Sequence, residues 1–174
     1  MITAIYLAGL LQGISLVAFP AASTIFTSPH QFGFSVAAYG SLFIPQALLS
    51  ITFAALNPKI CRSLGSKCTL FLGLFANLLA MALLALSSLY MGEPTTSYTI
   101  LLIATGCLGI GFGLTVPVLN LLVALLYPKK VDSLVLVLNA LLGVGTALAP
   151  IFFALFTALG FWWELPLLLV VALL

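Results

Sequence analysis

Long apolar runs alternate with short polar stretches along the whole chain. About 20 apolar residues cross a bilayer as a helix. On that ruler the runs near residues 4–27, 35–57, 69–91, 98–127 and 132–159 are spans, and another run begins near 161. The stretches between them are turn-like: Ser28-Pro29-His30-Gln31, a basic loop after Asn57, Gly92-Glu93-Pro94-Thr95-Thr96-Ser97, a hinge Tyr127-Pro128-Lys129-Lys130-Val131-Asp132, and Gly160-Phe161-Trp162-Trp163-Glu164. The last run, 161–174, rises at about 1.5 Å per residue and stops short of a hydrocarbon core about 30 Å thick. It reads as a re-entrant end or, preferably, as the place where a longer chain is cut.

Small and polar residues gather on particular sides of these runs. Gly106, Gly109, Gly113, Pro117 and Asn120 fall at spacings of three and four, which puts them on one helix face; Asn139, Gly143, Thr146 and Pro150 do the same in the next run. In the first run Gln12, Ser15, Phe19 and Ser23 share a face beside a Gly9-x-x-x-Gly13 pair, and in the second Tyr39, Gln46, Ser50 and Asn57 line up. The third offers only Asn77 with Gly73 and Met81. An amide facing lipid lacks a partner, so these sides border protein or water. Each amide can serve as glue between helices. Together, stripes on four runs and scarcely on the third point to four helices around a lumen that reads a neutral or zwitterionic solute. Pro20, Pro45, Pro117 and Pro150 each release a backbone carbonyl and permit bending. Gly40-x-x-x-x-Pro45 and Gly145-x-x-x-x-Pro150 match, as a three-plus-three inverted repeat would leave them.

Composition sharpens this picture. Of 174 residues, 64% are hydrophobic and 5% charged, and the mean hydropathy is +1.36. A soluble domain carries about 25% charged residues, so the chain is expected to be a multi-pass integral membrane protein. All basic residues lie in two places: Lys59, Arg62 and Lys67, then Lys129 and Lys130. Basic loops stay cytoplasmic, which puts the N-terminus inside and makes a bacterial inner membrane the expected location; Trp162 and Trp163 fit an outer aromatic belt. The N-terminus lacks the basic flank of a cleaved signal peptide.

Candidate chemistry is sparse. The spans carry no charged residue or histidine, with Asp132 and Glu164 at their mouths and His30 in a loop. Catalytic acids and bases need partners, and metal sites need clustered ligands. Cys61 and Cys68 lack zinc spacing and read as free thiols, and Cys107 as a packing residue. No enzyme activity, cofactor, metal or nucleic-acid partner is expected.

Three stretches carry a family resemblance. They are the opening Tyr6-Leu7-Ala8-Gly9-Leu10-Leu11-Gln12-Gly13 with Phe19-Pro20-Ala21-Ala22-Ser23, the loop Pro58-Lys59-Ile60-Cys61-Arg62-Ser63-Leu64-Gly65-Ser66-Lys67, and the run holding Asn139, Gly143, Gly145 and Ala149-Pro150. They are similar to the first helix, the Gly-x-x-x-Asp-Arg-x-Gly-Arg-Lys loop and the fifth helix of the major facilitator superfamily. In the loop Gly65 and Lys67 match, while Arg62 stands where the acid is expected, and the fourth run lacks the family's frequent arginine. The chain thus resembles the N-terminal six-helix half of such a transporter over essentially all of residues 1–174.

The resemblance implies an all-α polytopic bundle with a three-plus-three inverted repeat. A C-terminal half-bundle, or a second copy of the chain, would complete it. The first and fourth helices would line the cavity, the second and fifth touch the other bundle, and the third and sixth face lipid. On this reading Gln12, Ser15, Phe19 and Asn120 contact the solute. Tyr39, Gln46, Asn139, Thr146 and Pro150 form the bundle interface or gate, and Arg62, Gly65 and Lys67 the cytoplasmic loop motif. The competing expectation is a six-pass scaffold or assembly subunit whose small-residue faces bind partner helices.

Overall fold

Apolar runs with saturated backbone hydrogen bonds are what a bilayer tolerates. The computed structural model, which describes residues 2–173, is helical nearly throughout. The first span is α1 (Ile2–Ala21) with α2 (Ser23–Thr27); the second is α3 (Val36–Ser41) with α4 (Phe43–Leu64). Then come α5 (Ser66–Ser87), extended by a 3-10 turn at Ser88–Tyr90, α6 (Pro94–Leu126), α7 (Val131–Ala158) and the short α8 (Glu164–Leu173). Five of these spans are long and apolar enough to cross a membrane, and the chain is a multi-pass membrane protein.

The prolines act differently from one another. Pro20 precedes the interruption at Ala22, and Pro45 sits in the first turn of α4 just after the interruption at Leu42. A first-turn residue has no intrahelical bond to lose, so Pro45 starts a helix at little cost. Pro58, Pro117 and Pro150 lie inside unbroken helices. Ser35 caps α3, its Oγ accepting from the Ala38 amide at 3.1 Å.

Two sequence expectations change here. The basic loop of 58–68 shrinks to one residue, Gly65, whose φ of +83° suits glycine. Lys59 and Arg62 ride on the end of α4 and Lys67 on the start of α5. Apolar length measures the oily part of a helix, whereas the helix itself continues as long as its side chains can reach water. Trp162, expected at a lipid interface, is buried with its ring 6.0 Å from Phe32. It joins Phe19, Phe26 and Phe34 in an aromatic cluster that closes one end of the bundle. Of the expected belt, only the half-buried Trp163 remains at the surface.

In the bundle, α6 holds α5 on one side and α4 on the other; α7 leans almost wholly on α1, and α4 and α7 do not touch among the described residues. Both lateral seams are built alike. Gly9 and Gly13 of α1 lie against Leu138 and Leu142 of α7, while Gly109 and Gly113 of α6 lie against Gln46 and Ser50 of α4. In each seam a Gly-x-x-x-Gly face brings backbone onto backbone, with the paired helices running the same way. Gly40 and Gly145, matched in sequence, are not matched in place: Gly40 meets open space, and Gly145 is wedged against Leu10 and Ile14.

Candidate functional site

Apart from a contact between Asn120 and Asn139, the polar stripes resolve into three separate places. The first is a node where α1, α5 and α6 cross. Gln12 and Asn77 join side chain to side chain, with Gln12 Nε2 donating to Asn77 Oδ1 at 3.4 Å and Asn77 Nδ2 donating in return. Asn77 Nδ2 also reaches Thr115 Oγ1 at 3.5 Å. All three residues are at most 1% exposed. Gly73 faces Thr115 and Gly111 faces Asn77, so two glycines make the room these side chains occupy. Ser15 lies one turn from Gln12, buried, its Oγ without a partner. Phe19 belongs to the aromatic cluster, 6.4 Å from Phe26.

The second place is where α4 meets the turn of α6 that precedes Pro117. Pro117 has no N–H for the Gly113 carbonyl four residues before it. Asn57 supplies the missing donor from the neighbouring helix, its Nδ2 reaching Gly113 O at 3.3 Å and Leu114 O at 2.9 Å. The Cys61 thiol donates to Asn57 Oδ1 at 3.3 Å and fixes the amide's orientation. Asn57→Ala should therefore cost about 1–2 kcal/mol of stability in detergent, and less in a Pro117→Ala background, where the backbone closes its own bond. Equal losses in both backgrounds would show that the bond does not serve this purpose.

The third place is open. A cleft of about 220 Å³ lies between α1, α4 and α6, lined by Leu16, Phe43, Gln46, Ala47, Ser50 and Phe112. Gln46 makes no side-chain hydrogen bond among the described residues, and its Oε1 is buried without a partner. Ser50 Oγ donates to Ala47 O at 3.0 Å, which leaves its lone pairs free to accept. An amide and a hydroxyl one turn apart, with two phenyl rings beside them, can bind a small solute that carries a polar head and an apolar flank. No formal charge lines the cleft.

Of the residues singled out from sequence, only Gln46 lines this cleft. Gln12, Ser15 and Phe19 are buried in the bundle and do not line it. Asn120 and Asn139 meet each other instead, Asn139 Nδ2 donating to Asn120 Oδ1 at 3.4 Å between α6 and α7. Each also bonds back to its own helix, to Val116 O and Val135 O at 3.0 and 2.9 Å. Tyr39 stacks edge-on with Phe43 at 5.2 Å. Thr146 returns its hydroxyl to Gly143 O at 2.7 Å on the uncovered side of α7. Pro150 lines a second cleft, of about 450 Å³, with Ala21, Thr24 and Phe153. Arg62, Gly65 and Lys67 stand at the α4–α5 hinge, all exposed.

Sequence reasoning placed Ser50 on the stripe with Gln46 but did not single it out, although the four-residue spacing carried that signal. Phe43, Phe112 and Thr115 had no signal, being apolar or small residues among many. Comparison of the chain with protein-family models, curated proteins and solved structures found no match.

Proposed function

We propose that this chain is one six-helix bundle of a major-facilitator-type transporter that moves a small neutral or zwitterionic organic solute by alternating access. The observation that carries this reading is the uncharged cleft flanked by Gln46 and Ser50, set between the largely uncovered α4 and the well-packed α1 and α6. The two Gly-x-x-x-Gly seams support an inverted repeat: α1 stands to α7 as α6 stands to α4. Such a repeat lets two halves of one bundle exchange roles as access alternates. In this reading Gln46 and Ser50 orient the solute, and the Asn120–Asn139 contact holds the opposite end closed. Gln12, Ser15 and Phe19 reach the solute only when α1 turns. The basic end faces the cytoplasm, which puts the N-terminus inside.

A second bundle, or a second copy of this chain, covers α4 and α7. The share buried within the bundle is only 6% for the second span and 17% for the α7 span, against 50% for α6. The same uncovered helices favour the second reading, a non-transporting scaffold that holds partner helices there.

Uptake into proteoliposomes of radiolabelled neutral amino acids, sugars and small amides separates the two. The transporter reading expects uptake of at least one class above protein-free vesicles, reduced about tenfold or more by Gln46→Leu, since a site built to bond a polar group discriminates strongly. Absence of uptake for every class, with co-purifying membrane partners instead, selects the scaffold.

A further inference from the structure

The five cations sit at one end of the bundle, with Asp132 the only acid beside them; Glu93 and Glu164 lie at the opposite, aromatic end. Within that basic end the elbow joining α6 to α7 forms a cleft of about 420 Å³, lined by Leu126, Tyr127, Pro128, Lys129 and Lys130. Its wall is layered in chain order. Leu126 closes α6 on the apolar side, Tyr127 is half-buried, and Lys129 and Lys130 are exposed beyond it. The turn is held by the Lys130 amide donating to Tyr127 O at 3.0 Å, so both lysines project from a defined bend.

We infer that the α6–α7 elbow is a docking site for an anionic membrane phospholipid, whose phosphate is held by Lys129 and Lys130 and whose ester and first acyl carbons lie along Tyr127 and Leu126. Apolar, aromatic and cationic layers succeed one another here as acyl chain, ester and phosphate do in a lipid. Basic pockets at the end of membrane helices take anionic headgroups in this way. A free anion would use only the outer, cationic part of the cleft. The elbow joins the cavity-lining α6 to α7, so an occupied site ties that joint to the leaflet. The inference stands apart from any transported solute, since it needs only the membrane placement of the helices.

The test is native mass spectrometry of the full chain released from detergent micelles titrated with phosphatidylglycerol or, separately, phosphatidylcholine. The wild type should retain phosphatidylglycerol in preference to phosphatidylcholine. Lys129→Gln with Lys130→Gln should weaken that retention about 30-fold, each lysine near a lipid surface contributing roughly a factor of five. Lys59→Gln with Lys67→Gln, at the α4–α5 hinge outside the cleft, should leave most of it. Lys129→Arg with Lys130→Arg should keep it, which separates charge from a folding defect. Equal retention of phosphatidylglycerol by the elbow double glutamine variant overturns the assignment. So does displacement of the lipid by glycerol phosphate at equal concentration, which would mark a soluble-anion site.

Discussion

Gly13→Val should detach α7 from the bundle and cost about 3 kcal/mol or more, while Gly143→Val should change stability by no more than about 0.5 kcal/mol. A Cβ at Gly13 would overlap the Leu142 carbonyl and come within 3.1 Å of the Gly145 Cα. Neither obstacle is a flexible side-chain tip; both are helix backbone, so the helices themselves must part. The packing of α7 rests almost entirely on α1, and little else can absorb the shift. Gly143 has nothing within 4 Å of its would-be Cβ, although it stands two residues from Gly145 on the same helix. Thermal unfolding of both variants in one detergent, followed by helicity, provides the comparison. Indistinguishable midpoints for the two variants would mean that the α1–α7 seam is not where α7 is held.

Gln12→Leu and Asn77→Leu should each destabilise by about 1.5 kcal/mol, and the double variant by clearly less than the sum. Removing one amide strands its partner in a dry three-helix junction, and an unmet buried amide costs about 1–3 kcal/mol. Removing both leaves Thr115 with little to satisfy. Interhelical bonds in membranes average about 0.6 kcal/mol and reach about 1.7; the reciprocal pairing and full burial place this one near the upper figure. A double-mutant cycle reads the coupling directly. Additive losses, or losses under about 0.3 kcal/mol, would remove the node as a structural lock. The same geometry predicts accessibility: a cysteine placed at position 12 should resist water-borne thiol reagents, and one at position 46 should react. Reversed reactivity would return Gln12 to the solute path.

Helix number and placement were legible because they follow from local chemistry. Each long apolar run had to satisfy its own backbone bonds, whichever neighbours it met, and charge had to leave the oil. The five long helices and the collection of every cation at one end followed. Length alone misjudged the helix ends. Nothing in an apolar ruler says that α4 runs through Pro58 to Leu64, or that Gly65 alone makes the turn.

What each stripe does was decided by neighbours far along the chain. Gln12 and Gln46 look alike in sequence, an amide in an apolar helix; one finds Asn77 sixty-five residues away and the other finds an open cleft. Gly40 and Gly145 begin the same six-residue pattern, yet only Gly145 has a helix pressed against it. Asn57 could be counted on a polar face, but its meaning depends on a proline in another helix that leaves a carbonyl bare. A periodic pattern states which side of a helix differs from the rest. Whether that side meets an amide, a backbone or an empty space depends on how helices cross, and the crossing is set by the combined packing of every face at once.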